Sequence, residues 1–217
     1  AYEIMPSLVG SEMCIRDSCK CIDTIPMSPD GKPTPALLTK AALDSAKIPH
    51  FVINAGSKIS PDTSHFDSQL EFGKNISESP AVSPEKVSEA VEFGKIIGKS
   101  ICKPNECLVI GESIPGGTTT ALAVLKGFGI NTSVSSSMPN NPIEIKNQTV
   151  DNALKRLKSD DPINVISELG DPMIAVVAGI LSESSKITRV ILAGGTQMTA
   201  VLAFAKRIGY NKQNIAV

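Results

Sequence analysis

A segment rich in glycine and threonine, between a short apolar run and an amphipathic helix, is the part of the chain best suited to chemistry. Residues 107–128 read CLVIGESIPGGTTTALAVLKGF. The apolar run 107–110 predicts a buried strand, and the apolar spacing further on predicts a helix that begins near Thr118. Gly116 and Gly117 let backbone N–H groups approach an anion, and the helix start adds unbonded donors and a positive dipole end. The segment therefore predicts a phosphate-binding turn.

The spacing of this turn limits the phosphate that it suits. Gly111, Gly116 and Thr118 fall where a P-loop has its two glycines and its Ser or Thr, but the lysine position is Gly117. Without that lysine no local side chain reaches β- and γ-phosphates, which favours a monophosphate over a triphosphate. The simpler alternative is a glycine-rich turn that binds nothing. Glu112, beside the turn, is the candidate catalytic residue; its alternative role is an acid favoured by the helix dipole.

Strands and helices alternate along the chain, and this order predicts an α/β fold with a mostly parallel sheet. Parallel strands are normally covered on both faces, so we expect them to be wholly buried. Residues 57–82, rich in Ser, Asp and Pro, are predicted to form a long surface loop. The predicted strands are 50–55, 107–111, a weak one within 131–141, 190–193 and one beginning at Asn214. The predicted helices are 35–47, one capped by Ser83 before Pro84, 118–128, 142–158, one capped by Asp171 before Pro172, and one after Thr196.

Four polar or glycine-rich segments follow predicted strands. Ligands of parallel sheets bind beyond the carboxyl ends of the strands. We therefore expect these four segments to converge on one edge of the sheet, where each contributes to a single site. The segments are NAGS at 54–57, GESIPGGTTT at 111–120, SSSMPNN at 135–141 and AGGTQ at 193–197.

Composition excludes several classes of function. The 217 residues carry a net charge of −1, no Trp and two Tyr, which disfavours nucleic-acid binding. No apolar run approaches the length of a membrane span, so no membrane association is expected. Five cysteines without a C-x-x-C pair indicate reduced thiols and a cytoplasmic location. The two histidines lack the spacing of a metal pair, and neither a metal nor a cofactor is expected.

Both ends of the chain are expected to differ from those of a native protein. Residues 8–18, LVGSEMCIRDS, resemble one reading frame of a common sequencing-library adapter, so we predict that residues 1–18 are not native. The last residues, 214–217, form an apolar run. We therefore expect a fragment truncated at both ends.

Four segments in this order resemble one enzyme family: GESIPGGTTTALAVL, SSSMP, GDPMIAVVAG and VILAGGTQMTAVLAF. They are similar to the archaeal-type branch of the nicotinate-nucleotide–dimethylbenzimidazole phosphoribosyltransferases. The resemblance implies a Rossmann-like three-layer α/β sandwich, of which residues 19–217 are a partial domain, and a homodimer. It implies transfer of the ribose phosphate of nicotinate mononucleotide to dimethylbenzimidazole or another lower-ligand base. Nicotinate is released, with inversion at C1′, in cobamide (cobalamin) biosynthesis.

The same resemblance implies roles for individual residues. The residues that match the family's 5′-phosphate loop are Gly116, Gly117, Thr118 and Thr119. Lys146 falls near the family's phosphate-binding lysine. Glu112 matches an acid beside that loop. The further substrate-binding residues implied are Asn54, Gly56, Ser136, Asp171, Gly194 and Gly195. The family's general base would lie beyond Val217, so we expect this chain by itself to be inactive.

Simpler and competing interpretations remain open at this point. Lys146 has the alternative of a solvated helix lysine, and Asp171 that of an N-cap alone. The partners expected are small molecules, namely nicotinate mononucleotide and a nucleobase-like acceptor. One alternative function is a non-catalytic module that senses a ribose phosphate. Another is a different enzyme such as a small-molecule kinase, against which the missing P-loop lysine argues.

Overall fold

The computed structural model describes residues 35–58, 60–61, 63–104, 106–114, 116–134 and 142–217. The adapter-like segment 1–18, the beginning of the predicted domain as far as 34, and the loop 135–141 lie outside the described residues. The described elements, in chain order, are α1 (Pro35–Ala46), β1 (Val52–Asn54), β2 (His65–Asp67), α2 (Pro84–Ile101), β3 (Cys107–Gly111), α3 (Gly117–Gly127), α4 (Ile143–Leu154), α5 (Pro162–Leu169), α6 (Pro172–Ile187), β4 (Arg189–Ala193), α7 (Thr196–Ile208), a 3₁₀-helix (Lys212–Asn214) and β5 (Ile215–Ala216).

The main sheet has three parallel strands in the order β3-β4-β5. Cys107 pairs with Arg189, and Gly111 pairs with Ala193, so β3 and β4 end at the same level. Strands β1 and β2 form a separate parallel pair. Parallel strands joined through helices confirm the predicted α/β class. The turns after β3 and β4 therefore begin side by side, as expected for parallel strands that end at the same edge of the sheet.

Burial alternates along the strands, contrary to the expectation that they would be wholly buried. Val190 and Leu192 of β4 are buried, whereas Ile191 between them is 39% exposed. Val109 of β3, on the same face as Ile191, is 58% exposed. Successive side chains of a strand point to opposite faces. Among the described residues, helices therefore fill one face of this sheet and leave the other exposed.

The helices α2 and α6 approach each other so closely that their backbones touch. A Cβ atom on Gly94 of α2 would lie 2.1 Å from the carbonyl oxygen of Val176. A Cβ atom on Gly179 of α6 would lie 2.2 Å from the carbonyl oxygen of Val91. Gly98 repeats the contact one turn along α2. Because the obstructing atoms are backbone atoms, no side-chain rotation relieves the overlap, and only glycine fits at these positions.

This contact predicts a large effect of one added methyl group. Gly94→Ala is expected to destabilise the fold by at least about 2 kcal/mol, because the helices must separate to accommodate it. Urea unfolding monitored by circular dichroism measures the change. Gly111→Ala is the matched control, since its nearest neighbour would be the carbonyl oxygen of Ala193 at 3.9 Å. Equal stability losses in the two variants would contradict the proposed packing constraint.

Two predicted helix starts are confirmed by their capping bonds. The hydroxyl oxygen of Ser83 accepts the N–H of Lys86 at 3.4 Å, and α2 begins at the next residue, a proline. Oδ1 of Asp171 accepts the N–H of Met173 at 2.8 Å, and α6 begins in the same way. These local bonds satisfy donors that the first turn of a helix leaves unpaired.

Helix α5 was not predicted, although it begins with the same signal. Oδ2 of Asp161 accepts the N–H of Asn164 at 3.1 Å, and a proline follows the cap. The predicted helix 142–158 ends earlier, as α4, and the chain turns before α5. Helix α5 is short, but it inserts Val165 and Ile166 into the core, where both are fully buried.

The predicted surface loop 57–82 is more ordered by tertiary contacts than its composition indicates. It contains the strand β2, and the side chain of Ile76 is buried. The guanidinium group of Arg156 donates to the carbonyl oxygen of Ile76 and, at 3.1 Å, to that of Ser79. These partners come from a distant part of the chain, so the loop is held by contacts that its own composition does not reveal.

Helices α3 and α7 start at the same edge of the sheet and are joined at their far ends. The rings of Phe128 and Phe204 stack with centroids 6.5 Å apart and planes 7° apart. The guanidinium carbon of Arg207 lies 3.8 Å from the centroid of the Phe128 ring. The same side chain donates to the carbonyl oxygen of Phe128 at 3.2 Å. A ring stack, a cation–π contact and a hydrogen bond therefore fix these two helix ends together.

Candidate functional site

Acidic side chains from two elements meet at the carboxyl edge of the main sheet. Glu112 directly follows β3, and its Oε1 lies 3.7 Å from the position of a Cβ atom on Gly194, which follows β4. Asp171 lies at the start of α6, and its charge acts on Glu112. Oδ2 of Asp171 lies 3.3 Å from the position of a Cβ atom on Gly73. The edge therefore brings together Glu112, Asp171 and Gly194, as the resemblance implies.

The turn after β1 reaches the same region. Gly56 has a φ of +94°, and a Cβ atom there would lie 3.3 Å from Cβ of Pro172, the first residue of α6. A Cβ atom would also lie 2.7 Å from the carbonyl oxygen of Glu71. Asn54 is buried, and its Oδ1 accepts the N–H of Ser57 at 2.8 Å. Within the turn, Gly56 permits close packing on α6, and the Asn54 amide stabilises the backbone.

The turn before α3 presents unbonded donors to an open space. Gly116 has a φ of +66°, and no heavy atom of the described residues beyond its chain neighbours lies within 4 Å of its Cβ position. The N–H groups of Gly117 and Thr118 are in the first turn, where an α-helix offers no intrahelical acceptor. Thr120 donates its hydroxyl to the carbonyl oxygen of Gly117 at 3.1 Å. The hydroxyls of Thr118 and Thr119 make no hydrogen bond to any residue that the structure describes.

The loop after β4 lies against this turn. A Cβ atom on Gly117 would lie 2.8 Å from Nε2 of Gln197, which is in the first turn of α7. Gly194 is packed on Met198, whereas in the described part of the chain no heavy atom beyond the adjacent residues lies within 4 Å of the Cβ position of Gly195. The two glycine loops therefore adjoin, and both leave room above the strand ends. The AGGTQ segment was predicted to contribute to the site, but no local signal in it identifies Gln197.

Lys146 is a buried residue, and this excludes its interpretation as a solvated lysine. It is 7% exposed, and burial lowers the pKa of its ammonium group. It lies in the first turn of α4, which packs against α3. Ser136 falls in the segment 135–141, outside the described residues.

Burial shifts both carboxyl groups towards their protonated forms. Burial raises the pKa of Glu112 to about 7, the negative charge of Asp171 adds to this shift, and the N–H of Ile114 opposes it. Burial also raises the pKa of Asp171 to about 6, although the bond from Met173 lowers it. Oε2 of Glu112 is buried without a hydrogen-bond partner among the described residues. Near neutral pH, Glu112 is therefore able to act both as a hydrogen-bond donor and as a carboxylate.

The described residues at this edge supply hydrogen-bond donors and no grouped metal ligands. Within the described ranges, no three His, Cys, Asp or Glu side chains are grouped so as to hold a metal. The turn before α3 supplies N–H and hydroxyl donors, which are the groups that bind phosphate oxygens. No helix in the described ranges has the length and apolarity needed to cross a bilayer.

The chain is an α/β protein with a parallel sheet, the class in which ligands bind beyond the carboxyl ends of the strands, where its glycine loops and acids lie. The family model described as phosphoribosyltransferase (DBI_PRT) matches residues 42–217. The chain therefore belongs to this phosphoribosyltransferase family, which confirms the resemblance seen in the sequence.

Curated relatives extend beyond the chain. A UPF0284 protein of Archaeoglobus fulgidus is 49% identical over 199 residues, which are 92% of this chain and 58% of that protein. A UPF0284 protein of Saccharolobus solfataricus is 44% identical over 205 residues, covering 93% of this chain and again 58% of the relative. The chain thus spans less than two thirds of the length of these relatives.

Solved structures share the fold. CobT from Thermus thermophilus superposes with a TM-score of 0.66 at 22% identity, covering 82% of this chain and 56% of CobT. A structure of the nicotinate-nucleotide-dimethylbenzimidazole phosphoribosyltransferase from the same organism superposes with a TM-score of 0.63 at 22% identity, covering 78% and 53%. At this identity the similarity establishes the fold, and the predicted Rossmann-like α/β architecture is confirmed.

The raised pKa of Glu112 predicts a pH-dependent effect on stability. The pKa is about 7 in the folded chain against 4.5 as the ordinary value, so the folded state loses stability as pH rises from 4.5 to 7. Glu112→Gln removes this loss. Its stability should match the parent near pH 4 and exceed it at pH 8 by up to about 3 kcal/mol.

Urea unfolding of both proteins at several pH values measures this difference. Glu106→Gln is the matched control, because Glu106 is exposed and its replacement also removes one carboxylate. A Glu112→Gln difference that stays constant between pH 4 and pH 8 would contradict the buried, partly protonated carboxyl group.

Proposed function

We propose that this chain carries the donor-binding part of a phosphoribosyltransferase that uses nicotinate mononucleotide. The enzyme moves the ribose phosphate to dimethylbenzimidazole or another lower-ligand base and releases nicotinate, in cobamide biosynthesis. The observation that carries the proposal is the set of unbonded donors at the start of α3, beside the two acids. The family membership supports the reaction type. The name of the second Thermus protein, a nicotinate-nucleotide-dimethylbenzimidazole phosphoribosyltransferase, suggests the substrates.

In this proposal the phosphate accepts hydrogen bonds from the backbone at Gly116 and Gly117 and from the hydroxyls of Thr118 and Thr119. The positive end of the α3 dipole adds to the attraction. Lys146, one turn into the neighbouring α4, contributes positive charge from a poorly solvated position. The remaining substrate-binding residues are Asn54, Gly56, Ser136, Asp171, Gly194 and Gly195.

Glu112 acts on the charge that develops during the reaction. A nitrogen lone pair of the acceptor base forms a bond to C1′ while the bond to nicotinate breaks, and that electron pair stays on the pyridine nitrogen. Positive charge spreads over C1′ and the ring oxygen in the transition state, and a nearby carboxylate stabilises it. The cationic pyridinium ring of the donor lowers the pKa of Glu112 and so favours this carboxylate form. The proton on the acceptor nitrogen leaves to a general base outside this chain.

The proposal for the whole protein is a homodimeric cytoplasmic enzyme that acts on small molecules. The net charge of −1 disfavours nucleic acid as a partner. A module that senses the nucleotide without turnover would use the same donor site. The two functions differ in whether the remainder of the protein supplies an acceptor site and a base.

Binding of the phosphate group is the first prediction of this proposal. The chain should bind nicotinate mononucleotide at least about tenfold more tightly than nicotinate riboside, since charged hydrogen bonds at the α3 turn are lost without the phosphate. Thr118→Val should reduce this ratio, because it removes one hydroxyl donor with little change in shape. Isothermal titration calorimetry measures both affinities.

Thr120→Val is the matched control for this experiment. Its hydroxyl is already bonded to the carbonyl oxygen of Gly117, so its loss should leave the ratio between mononucleotide and riboside unchanged. Equal affinity of the unmodified chain for the two ligands would contradict the proposed function.

Turnover is the second prediction. The chain should bind the mononucleotide but release nicotinate at least about a hundredfold more slowly than a complete enzyme, because general base catalysis contributes about two to four orders of magnitude. The assay follows nicotinate release with dimethylbenzimidazole and purines as acceptors, and CobT from Thermus thermophilus serves as the positive control. Turnover equal to that of the control would show that residues within this chain supply the base.

A further inference from the structure

Gln197 occupies a position that gives it a role at the phosphate turn. It lies in the first turn of α7, two residues after Gly195, and its side chain extends to the start of α3. A Cβ atom on Gly117 would lie 2.8 Å from Nε2 of Gln197, closer than real atoms approach. The side chain of Ile114, whose Cγ1 would lie 2.4 Å from the same Cβ position, and the carboxamide of Gln197 together fill the space that a side chain at position 117 would enter.

This position has a defined meaning in phosphate-binding turns. In a P-loop, the residue that corresponds to Gly117 is a lysine whose side chain extends to the phosphates. Here the first turn of α7 places a neutral amide beside this position. An amide carries two N–H donors and no charge, so it suits the oxygens of one phosphate but does not balance the charge of a second.

The amide is also available for a ligand. It makes no hydrogen bond with any residue that the structure describes. Beside it, the Cβ position of Gly195 has no heavy atom of a described, non-adjacent residue within 4 Å. Gly194 begins the loop after β4, and the side chain of Glu112, which follows β3, lies against it. Oε2 of Glu112 is buried without a partner in the described part of the chain. Gln197 is half-buried, whereas Oε2 of Glu112 is a buried polar atom without a partner among the described residues, which favours a polar ligand that completes its bonding.

We infer that the carboxamide of Gln197 donates a hydrogen bond to the phosphate of the nucleotide held at Gly117 and Thr118, and that it selects a phosphate monoester. The inference rests on the proposed function, because it names a further specificity-determining residue of the same site. It joins the two glycine loops through the ligand, so that the loop after β4 contributes to phosphate binding.

The experiment compares two variants in the full chain. Gln197→Met keeps the length of the side chain and its packing on Gly117 but removes the donor; it should weaken nicotinate mononucleotide binding about tenfold and leave nicotinate riboside binding unchanged. Gln197→Glu should weaken the mononucleotide further, because its carboxylate repels the phosphate. Gln213→Met is the matched control, since Gln213 is exposed on the 3₁₀-helix. Calorimetric titrations measure the affinities, and urea unfolding checks that stability is retained.

Failure of this inference is distinguishable from failure of the proposed function. If the unmodified chain prefers the mononucleotide and Gln197→Met keeps the same preference, Gln197 is a packing residue and the inference is overturned while the proposed function stands. If the unmodified chain binds mononucleotide and riboside equally, the phosphate site itself is absent and both fall. A loss of affinity for both ligands in Gln197→Met would also overturn the inference, because a phosphate contact does not alter riboside binding.

Discussion

The direct backbone contact between α2 and α6 is the constraint on which the rest of this structure depends. Helix α2 leads into β3, and α6 leads into β4. The distance between the two helices must therefore be compatible with the distance between the two paired strands. Helices normally pack with axes about 8–10 Å apart, whereas paired strands lie only about 4.8 Å apart. Glycines at the contact bring the helices close enough to cover two neighbouring strands. Strands β3 and β4 end at the same level, so the loops that follow them meet.

The carboxyl edge shows the energetic consequence of building a site on a closely packed frame. Asp171 receives a hydrogen bond from the helix that it caps, and the positive end of that helix also favours its charge. Burial nevertheless outweighs both, since the pKa of Asp171 lies above its ordinary value. Glu112, with a buried oxygen that no described residue satisfies, carries a similar penalty. Such groups reduce stability in the unliganded protein, and a ligand that bonds them recovers part of the loss.

Local features of the sequence were sufficient to predict most of the elements but not the contacts between them. The strand, turn and helix of 107–128 were predictable because their signals lie within a few residues of one another. The order of loop 57–82 was not, because Arg156 donates to it from 77 and 80 residues away. Helix α5 was overlooked although its cap, Asp161 before a proline, repeats the signal that identified α6. The cap identifies only a start, and which of the eight residues that follow become buried depends on neighbours that the sequence does not specify.

The candidate site was predictable as a set of loops but not as a geometry. Parallel strands imply that the loops after β3 and β4 meet, and Glu112 and Gly194 do lie together. The proximity of Asp171 to Glu112, and the burial of Lys146, depend on how helices pack behind the sheet. Gln197 was visible within the AGGTQ segment. Its contact with Gly117 emerges only once two helices from separate parts of the chain are placed side by side.

The attachment of Arg207 to Phe128 has a consequence far from those residues. Helices α3 and α7 are held together at their C-terminal ends by these contacts. Their N-terminal ends adjoin the glycine loops. Helix α3 has 11 residues and is therefore about 16 Å long, so a tilt of about four degrees about its C-terminal end displaces its first residue by about 1 Å. The contact between the Arg207 guanidinium group and the Phe128 ring, far from the site, thus helps to fix the distance between the two glycine loops above the strand ends.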